Sequence, residues 1–117
     1  MPSIADNMHE AYGNRADGTP KGSGYFGELR RPDGKVSTEL SAGVNFDGQE
    51  REIPLIVPTL NRSELSHLLN GGAPTDTHYS LAVEHARQRM RDGRSPFAAQ
   101  GEVQATPTLA KPRARYR

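Results

Sequence analysis

The sequence predicts a small α+β fold, and three features carry that prediction. Between residues 25 and 58, short runs of β-type residues alternate with glycine-containing turns. Between residues 61 and 93, apolar residues recur at helical spacing behind helix-capping residues. Both ends of the chain are rich in turn formers and lack a sustained apolar period. We therefore expect a compact core over residues 24–97, an extended N-terminal arm over residues 1–23 and an extended basic C-terminal arm over residues 98–117.

Three runs are predicted to form the strands of one three-stranded antiparallel meander. The first covers residues 25–29, the second residues 36–44 and the third residues 50–58. The second run alternates with period two, which predicts one apolar and one wet face. The apolar set is Val36, Thr38, Leu40, Ala42 and Val44, and the wet set is Ser37, Glu39 and Ser41.

Turn residues separate these runs. Pro32-Asp33-Gly34 predicts a turn after the first run, and Asp47-Gly48 is a typical hairpin signal before the third. Pro54 lies inside the third run and cannot donate a ladder hydrogen bond. We therefore expect the third strand to lie at an edge of the sheet or to break at Pro54.

Two helices are predicted to pack on the meander. Asn61, with Glu64 three positions later, resembles a capping box and predicts a short helix through Leu69 that stops at residues 70–72. A longer helix is predicted to be capped by Asp76 or Thr77 and to end before Gly93. Its apolar stripe is predicted to be Tyr79, Ala82, Val83, Ala86 and Met90, and Arg87, Arg89 and Arg91 favour the carbonyl end of its dipole.

Composition excludes several classes of protein and of site. Hydrophobic residues make up 33% of the 117 residues, which predicts a small core. The absence of cysteine excludes disulfides, thiolate zinc sites and cysteine nucleophiles. No apolar run approaches the roughly 20 residues that span a bilayer, and no signal-peptide pattern is present. We therefore expect a soluble protein that is made in a cytoplasm.

The histidines, His9, His67, His78 and His85, are the candidate metal ligands. His78 and His85 share a helix face, but two helical turns separate them by about 10 Å, which is too far to hold one ion. We interpret these side chains as surface or interface imidazoles.

Strand carboxylates and a glycine motif are the candidates for catalysis and cofactor binding. Glu28, Glu39, Glu50 and Glu52 could form an acid/base pair, and Ser37-Thr38-Glu39 with a histidine supplies the residue types of a hydrolase triad. A wet strand face carries such charges routinely, and no nucleophile-elbow sequence is present. Residues 22–27 have G-x-G-x-x-G spacing, but no strand precedes them and no helix follows, which favours a glycine hinge. We expect no catalytic, cofactor-binding or metal site.

The C-terminal arm is the candidate contact surface for a partner protein or a nucleic acid. Residues 101–117 carry four basic residues against one acidic residue, although the whole chain has a net charge of only +1. The basic residues could neutralise phosphates while an aromatic ring stacks on a base, or they could dock on an acidic protein surface. The candidate contact residues are Lys111, Arg113, Arg115, Tyr116 and Arg117.

Three separated motifs resemble a small module from the structural-gene region of tailed bacteriophages, especially short-tailed ones. They are residues 24–39, residues 48–60 and the closing Ser95-Pro96-Phe97-Ala98, and the likeness covers about residues 22–98. The resemblance implies a virion-associated protein and carries no catalytic residues onto this chain. Extended arms suit such a setting, because they add contact area between subunits without a larger core.

These observations lead us to expect a minor structural protein of a tailed bacteriophage virion, made in the host cytoplasm. It would bridge or anchor larger subunits at the tail or head–tail junction, without enzymatic activity. Expected partners are other virion proteins of the tail, portal or adaptor-ring type, in multiple symmetric copies, with nucleic acid ranked second and no membrane. The alternatives are a capsid decoration or cement protein, and a small DNA-binding or hydrolase-accessory protein delivered with the genome.

Overall fold

A computed structural model of the chain describes residues 12–107. The described residues form an α+β fold, as predicted, with four strands followed by two helices. The strands are β1 (Leu29–Arg30), β2 (Val36–Ser37), β3 (Ser41–Phe46) and β4 (Gln49–Pro54), and the helices are α1 (Arg62–Leu69) and α2 (Asp76–Arg91). Neither helix has the length and apolar character needed to cross a membrane.

Two separate two-stranded antiparallel sheets replace the predicted three-stranded meander. β1 pairs with β2, with Leu29 opposite Ser37, and β3 pairs with β4. The predicted second strand, residues 36–44, is broken at residues 38–40. At the break, the Glu39 carboxylate accepts hydrogen bonds from Arg15 and from the Gly22 amide.

The predicted alternation of faces is wrong at the same place. Val36, assigned to the apolar face, is 43% exposed, whereas Ser37 and Glu39, assigned to the wet face, are buried. Thr38 is buried as predicted. Period-two alternation requires an unbroken strand, and the chain turns after Ser37. Beyond the break, Ala42 and Val44 again pack against the core.

The β3–β4 hairpin follows its sequence signal. Asp47 and Gly48 both have positive φ angles, of 51° and 89°, as a two-residue hairpin turn of type I′ requires. Pro54 ends β4 opposite Ser41, and the sheet has only two strands, so β4 is an edge strand as expected. The next residue, Leu55, donates its amide to the Leu40 carbonyl at 2.7 Å.

Helix α1 begins and ends where the sequence predicts. The Asn61 side chain accepts the Glu64 amide at 2.8 Å, and the Glu64 carboxylate accepts the Asn61 amide at 2.8 Å, which completes the capping box. The helix ends at Leu69, before the predicted stop at residues 70–72.

Helix α2 has a different cap from those predicted, and its buried face includes polar residues that the predicted stripe leaves out. Thr75 is the N-cap residue, in place of Asp76 or Thr77, and its capping box is closed by His78. The buried residues are His78, Leu81, Ala82, Ala86 and Arg89. Tyr79 of the predicted stripe is instead 39% exposed. The other members of the stripe lie against the core, since Ala82 and Ala86 are buried and Val83 and Met90 are partly buried. The apolar pattern missed His78 and Arg89 because both are polar, and each is satisfied by hydrogen bonds.

The core lies between the sheets, the β4–α1 connection and the two helices. Its centre is the run Ile53 to Val57, which is nearly inaccessible to solvent. The surrounding buried side chains are Phe26, Leu29, Leu60, Leu65, Leu68, Leu81, Ala82 and Ala86. A glycine is required next to this core, because Gly24 has a φ of 70° and a Cβ there would collide with the Thr38 carbonyl.

Candidate functional site

A cluster of charged and aromatic side chains lies at the C-terminal end of α2. Its centre is the buried Arg89, whose Nη1 and Nη2 donate to the two Glu102 carboxylate oxygens at 2.8 and 2.9 Å. The remaining donors reach the Ser95 carbonyl at 2.7 Å and the Phe97 carbonyl at 2.9 Å. The guanidinium therefore ties α2 to the segment that follows it.

Glu102 is held by more than Arg89. Its carboxylate also accepts a hydrogen bond from the Ala99 amide. It forms a further ion pair with Arg94, whose Nη2 donates to it at 2.8 Å. The Arg89 hydrogen bonds, followed by the Ala99 amide, lower the pKa of Glu102 from 4.5 to about 2. Glu102 is therefore fully ionised at neutral pH and cannot serve there as a general acid.

Tyr25 connects this cluster to the first motif. Its hydroxyl donates to the Pro96 carbonyl at 2.7 Å, and its own carbonyl accepts the Gln104 amide at 2.8 Å. Burial raises the pKa of Tyr25 to about 12. The phenol therefore keeps its proton and holds the C-terminal segment in place.

His85 is the unusual member of the cluster. Its ring meets Tyr25 edge-on with centroids 5.0 Å apart, and its buried Nδ1 has no hydrogen-bond partner among the described residues. Burial, and then the nearby Arg89 charge, lower the pKa of His85 below 6.5. A cavity of about 260 Å³ adjoins the ring, with Tyr25, Arg89 and Glu102 in its wall. A neutral imidazole here could accept a proton, but its described neighbours supply no activated nucleophile.

A second ion pair fastens residues 12–23 to the core. Arg15 donates from Nε and Nη2 to the two Glu39 carboxylate oxygens, each at 2.7 Å. Glu39 is only 2% exposed, and it also accepts the Gly22 amide at 2.9 Å. The Arg15 guanidinium stacks on Phe97 at 3.8 Å from the ring centroid, so this pair contacts both flanking segments.

Two of the histidines join the helices to each other. His67 and His78 stack with centroids 5.2 Å apart. The Nε2 of His78 bonds to the Glu64 carbonyl and its Nδ1 bonds to Thr75, while the Nε2 of His67 bonds to the Ala73 carbonyl. Across residues 12–107, no group of three or more His, Asp or Glu side chains is arranged to hold a metal ion.

The strand carboxylates have separate partners in the structure. Glu28 accepts a hydrogen bond from the Tyr12 hydroxyl, Glu39 pairs with Arg15, and Glu52 accepts one from the Ser41 hydroxyl. The glutamate assigned to the wet face, Glu39, is thus a buried structural charge. The predicted contact residues Lys111, Arg113, Arg115, Tyr116 and Arg117, together with His9, lie outside the described residues.

Sequence reasoning missed the roles of Tyr25, His85, Arg89 and Glu102. A signal was present, because His78, Ala82, His85 and Arg89 recur at helical spacing and mark a buried face with polar members. Nothing local connects Arg89 to Glu102, which lies 13 residues further along the chain.

Comparison of the chain with protein-family models, with curated protein sequences and with solved structures finds no match.

Proposed function

We propose that this protein is a minor structural component of a tailed bacteriophage particle, which bridges or anchors larger subunits at the tail or head–tail junction. The observation that carries the proposal is that the three sequence motifs meet in space. Tyr25 of the first motif bonds to Pro96 of the third, and residues 53–57 of the second form the centre of the core. The motifs that suggest a phage module are therefore the residues that build the fold.

The polar groups of the fold support a structural role over a chemical one. Arg15 with Glu39 and Arg89 with Glu102 are bidentate pairs, and each also bonds to backbone groups. Buried pairs of this kind fix one arrangement of the chain, at a desolvation cost that their hydrogen bonds offset. A rigid body of this size suits a component whose neighbours must find the same surface in every copy.

The two ion pairs also place the flanking segments. Arg15 holds residues 12–23 against the core, and Glu102 holds residues 95–104 against α2. The described part of each flanking segment is therefore attached to the core. In a particle, the remaining residues of the two arms would contact neighbouring subunits, and the basic residues between 111 and 117 would dock on acidic protein surfaces.

The test is the composition of particles of the phage that encodes the chain. We expect mass spectrometry of gradient-purified virions to detect the protein at one fixed copy number, unchanged by nuclease treatment and by a high-salt wash. Particles assembled without the gene are the control. Absence of the protein from washed virions would refute the virion role.

A chain lacking residues 111–117 separates the structural role from DNA binding. We expect this variant and the full chain to be incorporated equally if the core makes the main contacts. Salt-sensitive retention on DNA that disappears with these residues, combined with loss from nuclease-treated particles, would instead favour a DNA-binding protein.

A further inference from the structure

The outer edge of β3 offers unpaired backbone hydrogen-bonding groups. Phe46 and Gln49 close the two-residue hairpin, so the hydrogen-bonded pairs of the ladder alternate from that point towards Ser41. The peptide groups of Ser41, Gly43 and Asn45 therefore point away from β4. No other backbone group of residues 12–107 bonds to them, and Gly43 and Asn45 are exposed.

β3 lacks the features that protect edge strands from pairing. Its six residues, SAGVNF, include no charged residue and no proline. The opposite edge of the hairpin is different, because β4 carries Glu50, Arg51 and Glu52 and ends in Pro54, which has no N–H to donate. Of the two edges, that of β3 is the one open to another strand.

We propose that β3 pairs antiparallel with β3 of a second copy of this chain, about a two-fold axis at Gly43. This register places Gly43 opposite Gly43, and Ser41 opposite Asn45 of the second copy. Each of these residue pairs exchanges two N–H···O bonds, because all three residues direct their peptide groups outward. The two hairpins then form one four-stranded sheet.

The occupant is a second copy because the strand matches itself at each position in this register. On the outer face, glycine meets glycine at the axis, so no β3 side chain lies there. On the inner face, Ala42 lies beside Val44 of the second copy. Both residues already pack, half-buried, against their own core, so pairing extends the apolar layer across the axis.

One pair of like charges opposes the association. The Glu50 side chain lies over Gly43, where an added Cβ would collide with it. Pairing therefore brings two Glu50 carboxylates near the axis, and like charges so close weaken the pairing. This repulsion gives the proposal a specific test.

The experiment uses the purified full chain and does not depend on the virion role, so either proposal can fail alone. We expect sedimentation equilibrium to show a monomer–dimer equilibrium at concentrations up to about 1 mM. We expect NMR hydrogen exchange to show that the amides of Ser41, Gly43 and Asn45 become protected as concentration rises. The amides of Glu50 and Glu52 on the opposite edge should not change.

Three variants sharpen the test. Glu50→Gln should strengthen dimerisation about two- to fivefold, because it removes the like-charge contact. Gly43→Pro should abolish dimerisation, because it removes the outward N–H at the axis, and it should leave the fold intact, because that N–H bonds to no other backbone group of residues 12–107. Gly43→Ala is the matched control and should still dimerise, with thermal melts confirming that each variant folds. A chain that is monomeric throughout, protection confined to other amides, or a dimer insensitive to Gly43→Pro and Glu50→Gln would overturn the proposal.

Discussion

At the scale of single residues, Arg89 is a charged side chain that lies buried in the fold. Its guanidinium lies on the buried face of α2 and donates to one carboxylate and two backbone carbonyls. A buried cation is stable only with such partners, and removing one leaves an uncompensated charge. The energetic importance of the residue therefore depends on Glu102.

Replacing Glu102 by glutamine should reduce the free energy of unfolding by about 2–3 kcal/mol at pH 7, because Arg89 loses its counter-charge while its desolvation remains. Urea unfolding measures the change, provided that the dependence of the free energy of unfolding on urea concentration has the same slope in both proteins. Arg94→Met is the matched control, since Arg94 is 52% exposed and binds the same carboxylate, and it should cost only about 0–1 kcal/mol.

The pH dependence of the same variant is a further check. The pKa of Glu102 in the folded protein, about 2, lies below its ordinary value of 4.5. The contribution of Glu102 to the free energy of unfolding is therefore present above pH 4.5 and is lost as the pH falls towards 2. Wild type should lose stability relative to Glu102→Gln across this window. Parallel acid-unfolding curves would contradict the assignment.

His85 has a buried ring nitrogen without a hydrogen-bond partner among the described residues, as does the hydroxyl of Thr38. Its pKa is lowered by burial, so the folded state disfavours the imidazolium, and stability falls as pH drops below 6.5. His85→Phe keeps a ring against Tyr25 and removes the unpaired nitrogen. The variant should be as stable as wild type or more stable at pH 7.5, and melting temperatures should fall less between pH 7.5 and 5. An equal fall in both proteins would count against this view of His85.

At the scale of elements, each helix is defined by its cap and the hairpin by its turn. Asn61 and Thr75 accept N-terminal amides of α1 and α2, and Asp47-Gly48 supplies the left-handed turn of the hairpin. These signals lie within four residues of the features they control, which is why Asn61 and the hairpin were predictable. The α2 cap was assigned to Asp76 or Thr77, one or two residues late, because three polar residues in succession could each cap the helix.

Thr75→Ala should destabilise the protein by about 1 kcal/mol, because the α2 N-terminus loses its capping oxygen and His78 loses a partner. Thermal unfolding by circular dichroism measures the loss. Thr77→Ala, an exposed change two residues later, is the control and should be nearly neutral. Equal effects of the two substitutions would place the cap elsewhere.

At the scale of the whole molecule, long-range ion pairs connect the segments that flank the core. Arg15 and Glu39 are 24 residues apart, and they join the start of the described chain to the interruption between β2 and β3. The same guanidinium stacks on Phe97, near the end of the core. Residues 12–23, which belong to the predicted N-terminal arm, therefore contact the folded core.

Arg15→Met should destabilise the whole fold by about 3–5 kcal/mol, because Glu39 stays buried without a counter-charge. The double variant Arg15→Met with Glu39→Gln should recover part of this loss, since the uncompensated charge is gone. Denaturant unfolding of both proteins measures the coupling. Arg31→Met removes an exposed ion pair with Asp33 and should have little effect. No recovery in the double variant would show that Arg15 acts through packing alone.

The sequence by itself determined the α+β class, the hairpin at Asp47-Gly48 and the extent of α1, because turn and cap preferences act between near neighbours. Only the tertiary structure decided that the sheet divides in two, that Glu39 is buried, and that Arg89 lies on the buried face of α2. Each of these depends on a charge finding a partner far along the chain, as Glu39 finds Arg15 and Arg89 finds Glu102. The hydrophobic pattern of the sequence assigns charged residues to the surface. A charged residue is buried when another residue pairs with it, and the local sequence does not show that partner.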